Sequence, residues 1–594
     1  MASAIYIDEV TGHDTTEATG AESSPYKSLI FAYAKHPPEG GAPHFLVRKA
    51  PEPAADGATD SENAEWKPAA KAAMKKAVNA YDQQKKKAAK EKELLAVREK
   101  EEQERQKVFE EAKKIVLEED TSLPKAIKIK LDEKDPKVVR LGKGTRKPAD
   151  GKGVDYNSEE RGTRVRVFGR VHRLRKQGDI LFVTLRDGYG FLQCVFGGPL
   201  AKTYDALTLT RETSMEIIGE MWEVPPGAHA PDDRELHADF YVIRKGWKAP
   251  GGEDAITNKV QAGGDPQTLL DNRHLVLRGD IASSVMAVRD AVEFAFHQTY
   301  KEVKCSKVSP PALVQTQVEG GATLFSFDYY GEKAYLTQSS QLYLETCIPS
   351  MGDVYCIEKS FRAEKSLTRR HLSEYTHIEA ELDFITFDDL LSHLELVMCR
   401  VIDLTLANPV IRTYIDQIRA SNKLAAFEPP SRPFKRMRYS EAIDWLRSRG
   451  IKNEDGNEHV FGDDIAEAAE RKMTDEINRP IFLTHFPVEI KAFYMQKDSD
   501  DGRVTESVDC LMPGVGEIVG GSMRMDDYEE LMAAYQREGI APEPYYWYTD
   551  QRKYGSSPHG GYGLGFERFL AWMCGLWTVR DACLYPRYMG RCKP

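Results

Sequence analysis

The chain has 594 residues, 41% of them hydrophobic, with 93 acidic against 82 basic residues and a formal net charge of −11. That length exceeds what one core sustains, so roughly two to four domains are expected, and the acidic balance leaves nucleic-acid binding to local basic segments. No apolar run approaches the roughly 18 residues of a membrane span, the start MASAIYIDEVTGHD carries no basic leader, and nine cysteines without a CxxC pair suit reduced cytoplasmic thiols better than disulfides or a zinc site.

Residues 1–65 mix short apolar stretches (YKSLIFAYA, HFLVRKA) with Pro-, Gly- and Asp-rich loops and read as a small appended domain. Residues 66–123 are rich in strong helix formers and nearly free of Gly and Pro, which predicts one long charged helix. It is either a solvated helix held by i,i+4 ion pairs, a phosphate-contacting arm using its lysine-rich first half, or a protein-interaction helix. A linker over 124–160, containing GKGTRKPADGKG, follows. Residues 161–250 then read as short alternating strands (TRVRVFGRVHRLR, DILFVTLRD, GFLQCVF) joined by tight turns, the pattern of a small β-barrel. A hinge over 251–277 leads into 278–594, where amphipathic helices near 284–300 and 388–407 alternate with strands, an α+β domain.

Three segments of this last domain carry chemistry. In FRAEKSLTRRHLSEYTHIEAE (361–381), YCIEKSFRAE is read as one strand, with Arg362 and Glu364 on one face, and EYTHIEAELDF as a second. Strand alternation puts Tyr375, His377, Glu379, Glu381 and Asp383 on one face of the second strand and Ile378, Ala380 and Leu382 on the other. Consecutive carboxylates on one face repel unless cations or a divalent metal lie beside them. In VDCLMPGVGEIVGGSMR (508–524), Asp509 and Glu517 flank a Pro-Gly turn and could hold Mg²⁺ together with substrate phosphates. Two ordinary surface acids would look the same. In HGGYGLGFERFLAWM (559–573), a glycine-rich turn is expected to run into a helix with Glu567 and Arg568 at its start, a reasonable phosphate site; a tight packing turn is the plainer reading. It fits no GxGxxG frame, and no P-loop occurs in the chain.

FRAE…RHL…E and GYGLGFER resemble motifs 2 and 3 of the class II aminoacyl-tRNA synthetases, with the acidic hairpin between them in the usual order. FHQTYKEVKCSKVSPPALV resembles motif 1, a helix and strand ending in Pro311 that forms the homodimer interface in that family. The likeness runs from about residue 160 to 594, and the barrel places the chain in the aspartyl/asparaginyl/lysyl group, whose anticodon domain is an OB-fold. LTQSSQLYLET, RRHLSEYTHIEAE and GEIVGGSMR are most similar to eukaryotic cytosolic asparaginyl members. The resemblance implies ATP as substrate with Mg²⁺, and tRNA(Asn) as partner. It gives Arg362 the α-phosphate and the charge of the transition state, Glu364 the adenine amino group, and His371 the outer phosphates. Tyr375 and Arg568 would sandwich the adenine, with Arg370, Leu372 and Gly565 also at the ATP site; Arg362 and Arg568 carry the catalytic role. Asp509 and Glu517 would coordinate Mg²⁺.

For the amino acid, the resemblance assigns Glu319, Ser339, Gln341, Glu379 and Arg524. Glu319 and Gln341 would hold the α-ammonium, Arg524 a side-chain oxygen, and Glu379 the amide NH₂. Aspartyl relatives carry a lysine three residues after the second Gln of their QSPQ-type segment, and here that position is Leu344. A missing cation about 4 Å away is worth roughly 4 kcal/mol to a carboxylate before desolvation. Asparagine is therefore expected over aspartate. Gly514 stands where many relatives have a polar residue, which leaves contacts behind the metal site open. In the barrel, Phe182, Gln193 and Arg175 are candidates for stacking on and reading an anticodon base, with Phe182 as barrel core the alternative. Competing functions are an aspartyl-tRNA synthetase, an ammonia-dependent asparagine synthetase, whose known members lack the barrel, and an inactive paralogue acting as an RNA- or protein-binding module.

Overall fold

The computed structural model describes residues 4–37, 44–49, 65–143, 161–261, 263–318 and 324–594. The chain divides into two compact units, Met1–Ala255 and Ile256–Pro594.

The first unit begins with a three-stranded sheet. β1 (Ala4–Asp8) pairs in parallel with β2 (His44–Arg48), which pairs antiparallel with β3 (Lys67–Pro68). One helix runs the whole way from Lys71 to Lys113. Its first turns place Met74, Ala77, Val78 and Tyr81 against Ile5, Ile7, Tyr33 and Phe45. The border expected at residue 65 therefore cuts through one small core: the start of the helix belongs to the appended domain. Beyond Tyr81, among the described residues, only Ala112 of the helix is buried, and Leu94, Val97 and Val108 are exposed. The linker expected over 124–160 is described up to residue 143, and its later part lies outside the described residues.

The barrel is built from β4 (Ile127–Lys128), β5 (Arg164–Gln177), β6 (Ile180–Arg186), β7 (Phe191–Phe196), β8 (Ser214–Glu223) and β9 (Arg234–Val242). The order is β4-β5-β6-β7-β9-β8, and a β5–β8 pairing closes the five long strands into a ring. Alternation does the rest: Val165, Val167, Val183, Leu185, Leu192, Cys194 and Phe196 fill the interior.

The second unit is organised by an eight-stranded sheet of β10 (Ser306–Lys307), β14 (Val354–Phe361), β15 (Glu374–Asp383), β20 (His559–Gly565), β19 (Gly516–Met523), β18 (Ser507–Met512), β17 (Ile481–Thr484) and β16 (Lys435–Arg438), in that spatial order. It is antiparallel except for the two edge pairings, β10 with β14 and β16 with β17. A separate small sheet joins β11 (Leu313–Val314), β12 (Ser326–Tyr329) and β13 (Glu332–Leu336). Helices Asp280–Glu302, Phe387–Ala407 and Phe566–Cys574 cover one face of the large sheet, packing Phe296, Leu394 and Phe569 onto Ile378, Ala380, Val519 and Leu564. The opposite face of β15 carries the acids, as its alternation predicts.

Three expectations change. β14 ends at Phe361, so Arg362 and Glu364 stand in the loop rather than on one strand face. The glycine-rich stretch is a central strand, β20, rather than a turn, because β15 and β19 leave its cavity face no room for side chains. The expected hinge is only partly one: Arg273 is buried and donates to the carbonyls of Asp581, Cys583 and Leu584, tying this segment into the second unit.

Candidate active site

The open face of the large sheet holds a cavity of about 240 Å³, framed by β15, β18, β19, β20 and the loop after β14. Its floor is bare backbone. In β20, Tyr562 and Leu564 point into the core while Gly561, Gly563 and Gly565 take the other face. A Cβ at Gly563 would lie 2.3 Å from His377 Nε2, and Gly563 pairs with Gly520 of β19, so two glycines lie side by side. A flat ligand can rest on such a floor.

One end of the cavity is cationic. Arg362 lies 5.5 Å from the centroid of the Tyr375 ring, and Arg568 donates to the Glu517 carbonyl at 3.2 Å and to its carboxylate at 3.3 Å. Arg370 donates to the same carbonyl at 3.2 Å and pairs with Glu467 at 2.6 Å. His371 lies 3.6 Å from Glu364, and desolvation, only partly offset by Glu364, lowers its pKa, favouring the neutral ring. Leu372, Tyr375 and Gly565 complete this end. Glu567 pairs with Arg289 at 2.9 Å and accepts from the Thr376 amide at 2.9 Å, and so anchors the start of the helix that presents Arg568.

Asp509 and Glu517 reach the cavity from the two strands of one hairpin. Their carboxylates converge over Gly520: a Cβ there would lie 3.3 Å from Glu517 Oε1 and 3.6 Å from Asp509 Oδ1. Glycine thus leaves a cradle between two oxygen donors, which fits Mg²⁺ held by one or two carboxylates with phosphates completing its shell. Lys491, which no motif singled out, bonds Asp509 at 2.9 Å, and its pKa is raised despite desolvation because Asp509, Glu517 and Glu470 surround it. Desolvation and then Glu517 push Asp509 up against the opposing pull of Lys491. In Glu517 desolvation is outweighed by Arg568, Lys491, Arg362 and Arg370, which hold it below the usual range. Glu470 accepts from the Glu517 amide at 3.2 Å, and burial with the Glu517 and Asp509 charges raises it to about 8. Gly514 donates to Asp475 at 2.6 Å with φ +81°, so the turn behind the hairpin is held through backbone and needs no polar side chain.

At the other end, Ser339, Gln341, Glu379 and Arg524 line the wall. Glu379 accepts from the Ser339 hydroxyl and from the Ser340 amide at 2.9 Å. Arg524 clasps Glu381 through Nε at 3.1 Å and through Nη2, while its Nη1 bonds the Ser522 hydroxyl at 2.6 Å. Burial lifts Glu381 to about 7 against the pull of Arg524. Leu344 does not reach the cavity; it is buried with Ile348, Val354 and Cys356, so among the described residues no cation stands at this end beyond the guanidiniums. Of the residues expected here, Glu319 lies outside the described residues.

In the first unit, Phe182 is half-buried on the outer wall of the barrel, not in its core, with the Arg175 guanidinium 4.5 Å from its ring. Gln193, on the same wall, donates through Nε2 to Glu235 at 2.9 Å. Glu235 and its partner His237 (2.7 Å) were not legible in the sequence, since they come from β9, which pairs in parallel with β7 across the intervening β8 of the chain.

A family model described as tRNA synthetases class II (D, K and N) matches residues 265–589, and one described as an OB-fold nucleic acid binding domain matches 165–243. A model of the asparaginyl-tRNA synthetase N-terminal domain matches residues 21–124. The cytoplasmic asparagine–tRNA ligase of Saccharomyces cerevisiae is 49% identical over 100% of both chains. The chain belongs to the asparagine–tRNA ligases of the class II synthetase family. The human cytoplasmic asparagine–tRNA ligase is 46% identical over 99% of each chain. Among solved structures, the Entamoeba histolytica asparaginyl-tRNA synthetase in complex with asparaginyl-adenylate aligns with a TM-score of 0.67 at 44% identity, covering 73% of this chain and 97% of that one.

Proposed function

We infer that this chain is a cytoplasmic asparagine–tRNA ligase that activates L-asparagine with ATP and transfers it to tRNA(Asn), and that the cavity of the second unit is where both steps occur. The observation that carries the reading is the convergence of Arg362, Arg370 and Arg568 with Asp509 and Glu517 around a glycine floor. Phosphoryl-centre chemistry requires positioning and charge stabilisation rather than a protein nucleophile. ATP lies with its adenine between Tyr375 and Arg568 and its amino group at Glu364, and Arg362 meets the α-phosphate. The asparagine carboxylate attacks the α-phosphorus in line, a P–O bond forms as the bond to pyrophosphate breaks, and Arg362 stabilises the charge growing on the non-bridging oxygens. Arg370, His371 and Leu372 border the outer phosphates. Asp509 and Glu517 would hold Mg²⁺, which would neutralise phosphate charge. The terminal tRNA hydroxyl then attacks the acyl carbonyl, and AMP leaves.

Gln341 receives the α-ammonium, with Glu319 its expected companion, and Arg524 and Glu379 read the side-chain amide beside Ser339. Glu379 Oε1 meets the Ser339 hydroxyl and His377 Nδ1 (3.3 Å), while Oε2 takes the Ser340 amide and a weak Cys356 thiol contact at 3.9 Å and is the oxygen with acceptor capacity left. An aspartate carboxylate would meet Glu379 and Glu381 with Arg524 already paired to Glu381. On the barrel, Phe182 and Arg175 offer a stacking platform and Gln193 an acceptor for the edge of an anticodon base. A second copy of the chain would pack along the helix Asp280–Glu302, where Phe294 is 68% exposed, and at Pro311 and Leu313, also exposed. Arg362→Ala tests the chemistry: asparagine-dependent ATP–pyrophosphate exchange is expected to fall about 10²–10³-fold or more while tRNA affinity holds. Exchange near the wild-type rate would contradict the role given to Arg362.

A further inference from the structure

Behind the asparagine end of the cavity lies a buried ionic cluster that the reaction as described does not use. Glu345, with a side chain 1% exposed, accepts from Arg552 at 2.7 Å and is bonded to His559 at 3.1 Å, and Arg524 Nε lies 3.9 Å away. Arg552 donates also to the carbonyl of Met525, the neighbour of Arg524. Burial pushes the Glu345 carboxyl up, but Arg552, His559 and Arg524 outweigh it and hold it well below the usual range. It is therefore an anion.

Glu345 is also one helical turn from Gln341, whose Nε2 donates to Glu345 Oε1 at 3.1 Å. An ionised carboxylate can only accept, so Gln341 must turn its NH₂ to Glu345 and present its carbonyl oxygen elsewhere. That oxygen is the group an α-ammonium requires. We propose that Glu345 is a positioning residue that fixes which face Gln341 shows the substrate ammonium and, as an anion beside Arg524, lowers the positive charge available to the substrate side chain. The inference rests on the reading that this cavity binds asparagine. Glu379 and Arg524 line that end; behind them Glu345 holds Arg552 and His559, whose pKa it raises against desolvation, and Glu381, itself lifted by burial, holds Arg524, so each guanidinium already has a carboxylate partner. A neutral amide can enter this balance, and a second carboxylate is disfavoured by it.

The substitution Glu345→Gln is isosteric and separates the two effects. Its carbonyl must serve Arg552, so its NH₂ faces Gln341 and forces that amide to flip, turning a donor toward the ammonium. The KM for asparagine in pyrophosphate exchange is expected to rise about tenfold or more, while the affinity for succinamate, which is asparagine without its ammonium, stays within about twofold. Removing one anion also lowers the asparagine-over-aspartate ratio of kcat/KM by about tenfold. That ratio does not depend on the folded fraction of the preparation. Parallel losses for asparagine and succinamate, or an unchanged ratio, would overturn the proposal. Should Glu345→Gln yield no folded protein, Glu345→Asp keeps the charge and shortens the reach: asparagine KM rises with the amino-acid preference intact, and a lost preference contradicts the proposal. Wild-type exchange with asparagine is the control, and its absence would instead sink the reading of the cavity.

Discussion

Gly561 shows how tightly single residues are specified. A Cβ there would lie 2.3 Å from the Glu381 carboxylate and 2.2 Å from the Ala380 carbonyl oxygen, and the latter, being backbone of the neighbouring strand, cannot move aside. Gly561→Ala is expected to cost about 1–3 kcal/mol of stability through overpacking, measured by denaturant unfolding. It should also raise the KM for asparagine more than that for ATP, since Glu381 holds Arg524. An unchanged midpoint with unchanged kinetics would refute the packing argument. At this scale the sequence was informative through its charged segments and their resemblance to synthetase motifs: Arg362, Glu364, Arg370, His371, Tyr375, Asp509, Glu517 and Arg568 all line one cavity. It was silent on Lys491, Glu470, Glu345 and Arg552. Lys491, Glu470 and Arg552 come from otherwise unremarked segments, and Glu345 was passed over within LTQSSQLYLET; each becomes meaningful only once strand order and helix packing carry it to a carboxylate or guanidinium far along the chain.

Among the elements, β20 and the helix Lys71–Lys113 teach different lessons. Glycines at alternate positions looked like a turn because glycine lacks strand propensity. They form a strand because Tyr562 and Leu564 between them fill the core, while their bare face meets His377 and Glu381. β15, by contrast, was legible in full, since clean alternation separated the core face from the acidic face. The long helix was foreseen from composition, but its role is a matter of which surface it shows. Beyond Tyr81 it buries no continuous stripe among the described residues, and Lys85, Lys86 and Lys87 are exposed in its lysine-rich half. Deleting residues 1–118 is expected to weaken tRNA binding and to reduce the salt slope of log K by roughly one for each lysine that no longer meets a phosphate, while asparagine-dependent exchange persists. Filter binding across a salt series measures both. Unchanged affinity would leave the helix as a solvated or protein-binding element.

For the molecule as a whole, sequence reading placed a barrel and a larger α+β domain in the right order. It could not place the domain seams, because these depend on which short segments find a core. The start of the long helix joins the small sheet, and the segment around Arg273 joins the C-terminal tail. The cavity itself is a property of the assembled second unit, drawing on positions from Ser339 to Val579 that only the eight-stranded sheet brings together. Specificity belongs to this scale too. Leu344 turned into the core, Arg524 paired to Glu381, and Glu379 held by Ser339 and Ser340 jointly leave no unpaired cation for an aspartate side chain among the described residues. The direct test is ATP–pyrophosphate exchange by the full chain with a single amino acid supplied. Robust exchange with asparagine, exceeding that with aspartate by about 10²-fold or more in kcat/KM, is the predicted result. Exchange with aspartate and none with asparagine would contradict it.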